Sequence, residues 1–171
     1  MEQTYATQVE EAAEKDEALQ LVSFRIGKEI FGVNIRLAQE IIRTIPVTRV
    51  PNAPEFIEGV INLRGSIIPV IDLRKRLNLS APQPGEKAGA QILIVDVDGR
   101  VTGFIVDEVA KVRKIQASQV EPPPDIVLAG LHSKYILGVC DIDGRLLILL
   151  DFGRILRVEE IRRLKDLDVE E

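Results

Sequence analysis

Few side chains in this sequence have the types and spacing that catalysis or metal binding requires. His132 is the only histidine and Cys140 the only cysteine, so a zinc ion would need several carboxylate ligands, and no metal-binding spacing is present. Ser133 follows His132, but no glycine-flanked turn that would expose a catalytic serine surrounds it. We interpret His132 as a loop residue. There is no phosphate-binding loop or dinucleotide-binding fingerprint either. We therefore predict that the protein is not an enzyme and binds no metal or cofactor.

Two aspartates, Asp72 and Asp151, could form a carboxylate pair, but they hold equivalent positions in a repeated segment. Glu55–Leu77 matches Lys134–Leu156 without a gap, and this alignment places Asp72 on Asp151. Because both aspartates directly follow an apolar run, we predict that each one caps the short turn after a strand.

A second pair of segments extends the repeat. Leu21–Arg43 resembles Ile92–Lys114, and this alignment places Gly32 on Gly103. Two copies are too few for a solenoid. Halves of this size are marginal as independent units, so we expect them to share a core and to fold together. The repeat predicts a duplicated, β-rich unit.

The elements of each copy follow from local patterns. Val22, Phe24 and Ile26 alternate with more polar neighbours, which is typical of a strand. Asp98-Gly99 and Asp143-Gly144 are hairpin-turn signals between apolar runs. Gly27-Lys28 and Arg64-Gly65 occupy the matching turns of the first copy.

Three segments have helical or mixed patterns. The spacing of Leu37 and Ile41 predicts a short amphipathic helix over Ile35–Arg43. Its copy, Val106–Lys114, is ambiguous between helix and strand. Glu159–Leu167 has acidic residues near its start and is predicted to be a terminal helix.

Charge and hydropathy exclude several classes of protein. The chain has 171 residues and a formal net charge of −5. The acidic segment 1–17 carries that entire net charge and is predicted to be a disordered tail, so the remaining body is neutral. A neutral body with few aromatics lacks the basic surface that nucleic-acid binding requires. No apolar run approaches the ~18 residues of a membrane span, and the single cysteine excludes a disulfide framework. We expect a cytoplasmic protein with no direct membrane insertion.

The two copies differ most at one hairpin tip. The second copy has Asp143-Gly144, an ordinary tight turn, whereas the first has Arg64-Gly65. Aspartate tolerates the left-handed backbone of such turns and arginine tolerates it poorly. One interpretation is that Arg64 is placed there for a contact. The alternative is that the first copy uses another turn type and that Arg64 is a solvated charge.

Four motifs in order resemble the CheW family of bacterial chemotaxis coupling proteins. The signature is Asn62–Gly65 (NLRG) within EGVINLRGSIIPVIDLR. FGVNIRLAQEI precedes it, and GFIVDEVAKV and LILLDFGRIL follow it. The resemblance covers nearly all of Leu19–Arg157.

The resemblance implies a mainly β fold of two pseudo-symmetric, five-stranded SH3-like barrels packed together, with short helices and a C-terminal helix. The CheW-like domain spans residues 18–158, with the first barrel at about 18–80 and the second at about 90–157. Residues 159–171 form the C-terminal helix and tail. The implied function is a non-enzymatic scaffold that couples the cytoplasmic signalling tip of a chemoreceptor to the regulatory domain of the chemotaxis histidine kinase, in membrane-associated arrays. An adaptor for surface motility or a second-messenger circuit is the alternative.

The resemblance also assigns binding residues. Ten residues are carried over by motif position: for the receptor, Arg64, Asn62, Gly59, Glu40, Ala38, Val109 and Val112; for the kinase, Val22, Ile35 and Ile126, the last at a second contact that closes array rings.

Several of these assignments have a structural alternative. Burial in the core between the barrels would also explain Val109 and Val112. Glu40 could be a solvated charge. Gly59 and Gly138 coincide between the copies, so a shared backbone requirement is the stronger explanation for Gly59. Arg64 is the residue on which sequence difference and family position agree.

Overall fold

The computed structural model describes residues 17–43, 45–79, 90–124 and 135–156. These residues form ten strands, two short α-helices and one 3₁₀ turn. The strands are β1 (Ala18–Ile26), β2 (Glu29–Asn34), β3 (Ala38–Arg43), β4 (Ile57–Leu63), β5 (Ser66–Asp72), β6 (Gln91–Val97), β7 (Arg100–Val106), β8 (Glu108–Gln116), β9 (Ile136–Ile142) and β10 (Arg145–Leu150). The helices are α1 (Leu73–Arg76) and α2 (Phe152–Leu156), and the 3₁₀ turn is Ala117–Gln119. The prediction of a mainly β fold is confirmed.

The strands form two five-stranded sheets that exchange strands between the halves of the chain. The first sheet has the order β8-β1-β2-β10-β9, and the second has the order β3-β6-β7-β5-β4. Replacing each strand by its copy in the other half converts one order into the other. The duplication is therefore visible in three dimensions as a pseudo-two-fold arrangement.

This exchange corrects the predicted assignment of one barrel to residues 18–80 and the other to 90–157. Each sheet takes three strands from one half and two from the other. In each sheet the two halves meet twice, in a parallel pair (β10 with β2, β5 with β7) and in an antiparallel pair (β8 with β1, β3 with β6). Sequence order alone suggests that neighbouring segments pair, whereas here the central pairings are non-local.

Neither sheet is closed by a strand ladder in the described part of the chain. A single bridge joins Thr48, after β3, to Val60 of β4. Its copy joins Glu121, after the 3₁₀ turn, to Val139 of β9. Each bridge links the segment that follows one edge strand to the opposite edge of the same sheet.

The apolar side chains of the described residues pack into three clusters, and the alternation predicted along β1 agrees with this packing. Val22, Phe24 and Ile26 of β1 enter a central cluster that contains residues of both sheets. Leu21, which precedes Val22 in β1, belongs to a smaller cluster whose buried residues all come from the first sheet. A third cluster belongs to the second sheet, with Ile92 in the position equivalent to Leu21. The halves therefore share a core, as predicted.

Aromatic rings hold the middle of the central cluster. Phe104 of β7 and Phe152 of α2 meet edge to face at 4.8 Å between ring centroids. Phe24 lies 6.4 Å from Phe152 and 5.8 Å from Phe31. Because Phe24 and Phe31 belong to the first sheet and Phe104 to the second, these contacts connect the two sheets.

The predicted helix at Ile35–Arg43 is wrong. Residues 35–37 form a turn and Ala38–Arg43 is strand β3, which pairs antiparallel with β6. Its ambiguous copy is also a strand, β8, which pairs with β1. The four-residue spacing of Leu37 and Ile41 imitated a helix, but both segments gain a strand partner from elsewhere in the chain, and tertiary pairing overrides a short periodicity.

Several predicted features lie outside the described residues. They are the acidic tail up to Asp16, Ile126, His132 and the terminal helix at Glu159–Leu167. No helix among the described elements has the length and hydropathy to cross a membrane.

Candidate partner-binding surface

The hairpin tip at Arg64-Gly65 has the same backbone as the Asp-Gly tips. The φ angles are 52° and 88° at Arg64 and Gly65, and 52° and 80° at Asp143 and Gly144. The alternative of a different turn type is therefore wrong. Arg64 therefore has a left-handed backbone conformation, which is unfavourable for arginine. The geometry of the turn does not explain why an arginine is found at this position.

Arg64 forms a two-pronged ion pair with Glu40. Its Nη1 and Nη2 groups each donate a hydrogen bond of 2.8 Å to a carboxylate oxygen of Glu40. The pair ties the β4–β5 tip to edge strand β3, 24 residues away in sequence. The hydrogen bond from Arg64 lowers the pKa of Glu40 below its usual value, and the same bond raises the pKa of Arg64. Both groups stay charged at neutral pH.

The pair is open to solvent on one side. The side chain of Arg64 is 72% exposed and that of Glu40 is 29% exposed. Glu40 is thus neither buried nor a freely solvated charge, since it orients the guanidinium while the outer face of the guanidinium stays accessible. A planar cation held in this way can receive a second anionic or polar group from a partner.

Asn62 has a role inside the turn. Its Oδ1 accepts a hydrogen bond of 2.9 Å from the backbone N–H of Gly65. Asp141 accepts the equivalent bond from Gly144, also at 2.9 Å. The side chain of Asn62 is therefore positioned by the hairpin, and it is exposed beside Arg64.

Gly59 meets a backbone requirement. Its φ is +151°, and a Cβ there would collide with the backbone carbonyl of Thr48 at the bridge between the two edges of the sheet. A Cβ on Gly138 would lie 2.6 Å from Val120 Cγ1 and 2.8 Å from Glu121 O at the equivalent bridge. The shared structural explanation accounts for Gly59, which is itself buried.

The remaining residues assigned to the receptor lie on the two edge strands. Ala38 on β3 and Val109 on β8 hold equivalent positions in the repeat. Both are partly buried and pack against the central cluster. Val112 is 53% exposed and available for contact. Arg64, Glu40, Asn62 and Ala38 belong to the second sheet, whereas Val109 and Val112 belong to the first. The assigned residues are therefore divided between the two sheets.

Two residues assigned to the kinase fall in the described part of the chain. Val22 is 7% exposed and belongs to the central cluster, so its side chain presents almost no surface. Ile35 is half-buried in the turn after β2 and packs against the same cluster.

Sequence reasoning singled out Val112 but missed three other exposed apolar residues, Ile41, Ile67 and Leu146. The described residues include four large, exposed apolar side chains: Ile41, Ile67, Val112 and Leu146. They form two equivalent pairs in the repeat alignment, Ile41 with Val112 and Ile67 with Leu146. Aligning the copies residue by residue, with attention to matched apolar residues near the hairpin tips, was the signal that could have found them.

Two buried aspartates outside this surface, Asp72 and Asp151, have structural roles. Asp72 Oδ1 accepts hydrogen bonds from the backbone N–H groups of Arg74 at 2.9 Å and Lys75 at 3.4 Å. Asp151 Oδ1 accepts from Arg154 N at 3.1 Å. The capping prediction is confirmed. Burial raises the pKa of both the Asp72 carboxyl and the Cys140 thiol, which disfavours a reactive thiolate at Cys140.

Two of the cavities among the described residues are lined without a catalytic arrangement. One, of about 230 Å³, lies at the end of the first sheet beside Arg25, Arg113 and Asp143. The other, of about 240 Å³, lies beside Asp72, where Arg74 and Asp107 form an ion pair of 3.0 Å. Across residues 17–43, 45–79, 90–124 and 135–156, no cluster of histidine, cysteine and carboxylate groups could hold a metal ion.

Comparison with known proteins identifies relatives along most of the chain. The family model described as CheW-like domain matches residues 20–160. The chain is 34% identical over 157 residues to a chemotaxis protein CheW of Treponema pallidum, covering 91% of this chain and 92% of that protein. It is 36% identical over 138 residues to a chemotaxis protein CheW of Klebsiella aerogenes, covering 81% of each. The crystal structure of the scaffolding protein TtCheW from Thermoanaerobacter tengcongensis superposes with a TM-score of 0.73 at 33% identity, covering 83% of this chain and 94% of that one.

Proposed function

The chain belongs to the CheW family, and we propose that it bridges the cytoplasmic signalling tip of a chemoreceptor to the regulatory domain of the chemotaxis histidine kinase. It is a coupling adaptor of bacterial chemotaxis and a scaffold rather than an enzyme. As a scaffold it acts through simultaneous contacts. Each contact is modest, and linked contacts in an array supply the affinity. The proposed location is the cytoplasm, at membrane-associated receptor arrays.

The Arg64–Glu40 pair is the observation that carries the receptor contact. A strained turn position holds a cation that is oriented by a carboxylate and is still largely exposed. Charged groups at the rim of an apolar surface give a complex its specificity and its association rate. The receptor surface is therefore proposed to comprise Arg64, Glu40 and Asn62, with the apolar side chains of Ala38, Val109 and Val112 beside them. Gly59 supports this surface through the backbone and does not touch the receptor.

The kinase contact is proposed for the surface around Ile35. The proposed role of Val22 is indirect: its buried side chain packs in the central cluster and holds strand β1 in position. Ile126 stays a prediction for a further contact with the kinase. We also propose that the two edge bridges make each sheet function as an SH3-like barrel, with the strand exchange joining the two barrels.

Co-sedimentation tests the proposal. Purified protein is mixed separately with a soluble receptor signalling fragment and with the isolated kinase regulatory domain. The wild-type protein is expected to bind both, and Arg64→Ala is expected to lose mainly the receptor fragment. Asp143→Ala is the matched control, because it changes the equivalent turn position in the other copy. If the wild-type protein bound neither partner, the proposed function would be wrong. If Arg64→Ala bound like the control, the receptor surface would lie elsewhere.

A further inference from the structure

The first sheet contains a cavity that lies outside the surfaces proposed for the receptor and the kinase. Its volume is about 230 Å³, and it lies between edge strand β8 and the β9–β10 hairpin. Val109 and Val112, which are proposed for the receptor, belong to β8 but do not line the cavity. Val22 and Ile35, which are proposed for the kinase, do not line it either. The cavity therefore shares no described residue with either surface.

The walls of the cavity are apolar because they continue the core of the first sheet. Leu147 is a buried member of the cluster that belongs to this sheet, and Ile30 and Ile142 pack against that cluster. Phe24, which is fully buried, adds an aromatic wall. A cavity of about 150 Å³ accommodates a benzene-sized ring, whereas drug-sized ligands occupy about 300 Å³ or more. The volume therefore suits one aromatic or branched apolar side chain of a partner.

Three arginines line the cavity around these apolar walls. The side chains of Arg25 and Arg113 are 41% and 42% exposed, and Arg145 is exposed at the start of β10. Among the described residues, no carboxylate forms an ion pair with Arg145. The cavity thus combines an apolar interior with guanidinium groups that solvent reaches.

The two carboxylates that line the cavity hold their arginines only loosely. Glu108 lies 3.6 Å from Arg25, and Asp143 lies 3.8 Å from Arg113. Both distances exceed the length of a hydrogen bond, about 2.7–3.2 Å, so each guanidinium keeps N–H donors for an incoming acceptor. Glu108 and Asp143 are themselves 66% and 87% exposed. Such surface pairs are weak, and an incoming carboxylate can replace them.

The repeat shows that the shared fold does not require these arginines. A residue that the common architecture requires is expected in both copies, as the capping aspartates are. In the second sheet the counterparts of Arg25, Arg113 and Arg145 are not basic; they are Asp96, Ile42 and Ser66. The three arginines are therefore particular to the first sheet, which indicates a contact that only this sheet makes.

We propose that this cavity is a third contact site and binds an acidic peptide segment of a partner protein, with one aromatic or branched apolar side chain inside and carboxylates on Arg145 and Arg113. Arginine clusters recognise acidic motifs through charge-assisted hydrogen bonds. Arg145 needs no existing ion pair to be broken before it receives a carboxylate. The site goes beyond the proposed function, because it allows the chain to recruit a further component through a short segment.

Fluorescence anisotropy with a defined probe tests the proposal. The probe is a fluorescein-labelled peptide of sequence Gly-Asp-Asp-Phe-Asp-Asp-Gly, which is titrated with the full-length protein. Saturable binding is expected. Replacing the phenylalanine of the probe by alanine is expected to weaken binding by about tenfold or more, because the cavity loses its apolar occupant. No saturable binding by the wild-type protein up to about 1 mM would overturn the proposal.

Exchanging residues between the copies provides the matched control. Arg145→Ser introduces the residue of the other copy and is expected to weaken probe binding by about tenfold. Adding Ser66→Arg restores the net charge at the equivalent position of the second sheet, and it is expected not to restore binding. Full affinity in this double variant would also sink the proposal, because attraction of the acidic probe would then depend on net charge alone.

Filling the cavity is an independent test. Ala110 lines the cavity and is exposed on β8, so Ala110→Phe adds a ring there without disturbing the buried core. This variant is expected to keep the wild-type circular dichroism and to lose probe binding; unchanged binding would contradict the proposal. If it does not fold, the exchange variants still decide.

Sedimentation velocity of the protein alone examines a second copy as the occupant. The wild-type protein is expected to remain monomeric. Self-association that Arg145→Ser abolishes would overturn the proposal, since the cavity would then bind another copy of this chain. Receptor and kinase fragments are absent from all of these experiments, so failure of the proposed cavity site and failure of the proposed function are distinguishable.

Discussion

At the scale of single residues, the candidate site depends on a few positions where neighbouring residues fix the conformation of the side chain or the backbone. Arg64 is the most informative, because a strained backbone, a two-pronged ion pair and high exposure coincide there. Glu40, expected either as a solvated charge or as a contact, instead orients Arg64. The proposed function at this scale depends on holding the Arg64 cation in place while leaving its outer face open.

The steric role of Gly59 gives the first prediction. Gly59→Ala is expected to lower the free energy of unfolding by more than about 4 kcal/mol or to prevent folding, since its Cβ meets the Thr48 carbonyl. Gly65→Ala is the control, because that position has a φ of +88° but open space around it. Its cost is expected to be about 1–2 kcal/mol. Urea unfolding followed by circular dichroism measures both, and equal costs would show that the bridge to Thr48 is unimportant.

The second prediction concerns Asp72 and pH. Burial raises the folded-state pKa of this carboxyl above 3.8, so the folded protein binds more protons than the unfolded chain between 3.8 and the raised value. The contribution of Asp72 to stability therefore falls as pH rises through that window and is constant above it. Asp72→Asn keeps the capping oxygen and does not titrate. The stability of Asp72→Asn relative to wild type is expected to increase between pH 3.5 and pH 6.

The control for Asp72 separates capping from charge. Asp72→Ala removes the acceptor for the N–H groups of Arg74 and Lys75, so it is expected to be about 1 kcal/mol less stable than Asp72→Asn at every pH. Urea unfolding at several pH values gives both quantities. A wild-type stability that runs parallel to that of Asp72→Asn across the window would contradict the raised pKa.

At the scale of elements, the hairpins and edge strands decide which residues meet. The β4–β5 tip reaches edge strand β3 only because the second sheet curves enough for Arg64 and Glu40 to touch. The segments after β3 and β8 cross to the opposite edges of their sheets at the two isolated bridges, which lie beside Gly59 and Gly138. The site is therefore assembled by sheet curvature and not by neighbours in sequence.

The third prediction belongs to the β4–β5 hairpin. Asparagine adopts the left-handed backbone more readily than arginine does, so Arg64→Asn is expected to stabilise the hairpin and to raise the thermal midpoint by about 2 °C. Binding of the receptor fragment is expected to be lost at the same time. Asp143→Asn serves as the control, since it leaves the turn chemistry almost unchanged. A lower midpoint for Arg64→Asn would mean that the pair with Glu40 outweighs the strain of the turn.

At the scale of the whole molecule, the strand exchange makes the duplicated chain a single folding unit. Each sheet takes strands from both halves, and the central cluster with its aromatic rings joins the two sheets. For the proposed scaffold, a core shared by both halves keeps contacts made on the two sheets in a constant geometry.

The fourth prediction follows from the exchange. When the chain is divided between residues 84 and 85 and the pieces are purified separately, neither is expected to show a cooperative unfolding transition, since each sheet needs strands of the other piece. An equimolar mixture is expected to regain the near-ultraviolet circular dichroism and the transition of the intact chain. A monomeric piece that unfolded cooperatively alone would contradict the shared core.

Much of the fold could be predicted from local sequence. The alternation in β1, the Asp-Gly turns and the capping aspartates were predicted correctly, because each depends on residues close together in the chain. The helix at Ile35–Arg43 was predicted wrongly, because β3 exists through its pairing with β6. For the site, the family motif pointed to Arg64 and Glu40, whereas no local pattern indicated that they bind each other.

The sequence by itself determined the duplication, the β-rich class and the CheW family, since repeats, periodicities and motifs are properties of residue order. Only the tertiary structure decided the strand exchange, the role of Gly59 at its bridge, the burial of Val22 and the pairing of Arg64 with Glu40. The physical reason is common to all four. They depend on contacts between residues distant in sequence, whose free energy appears only when both sheets have formed around one core.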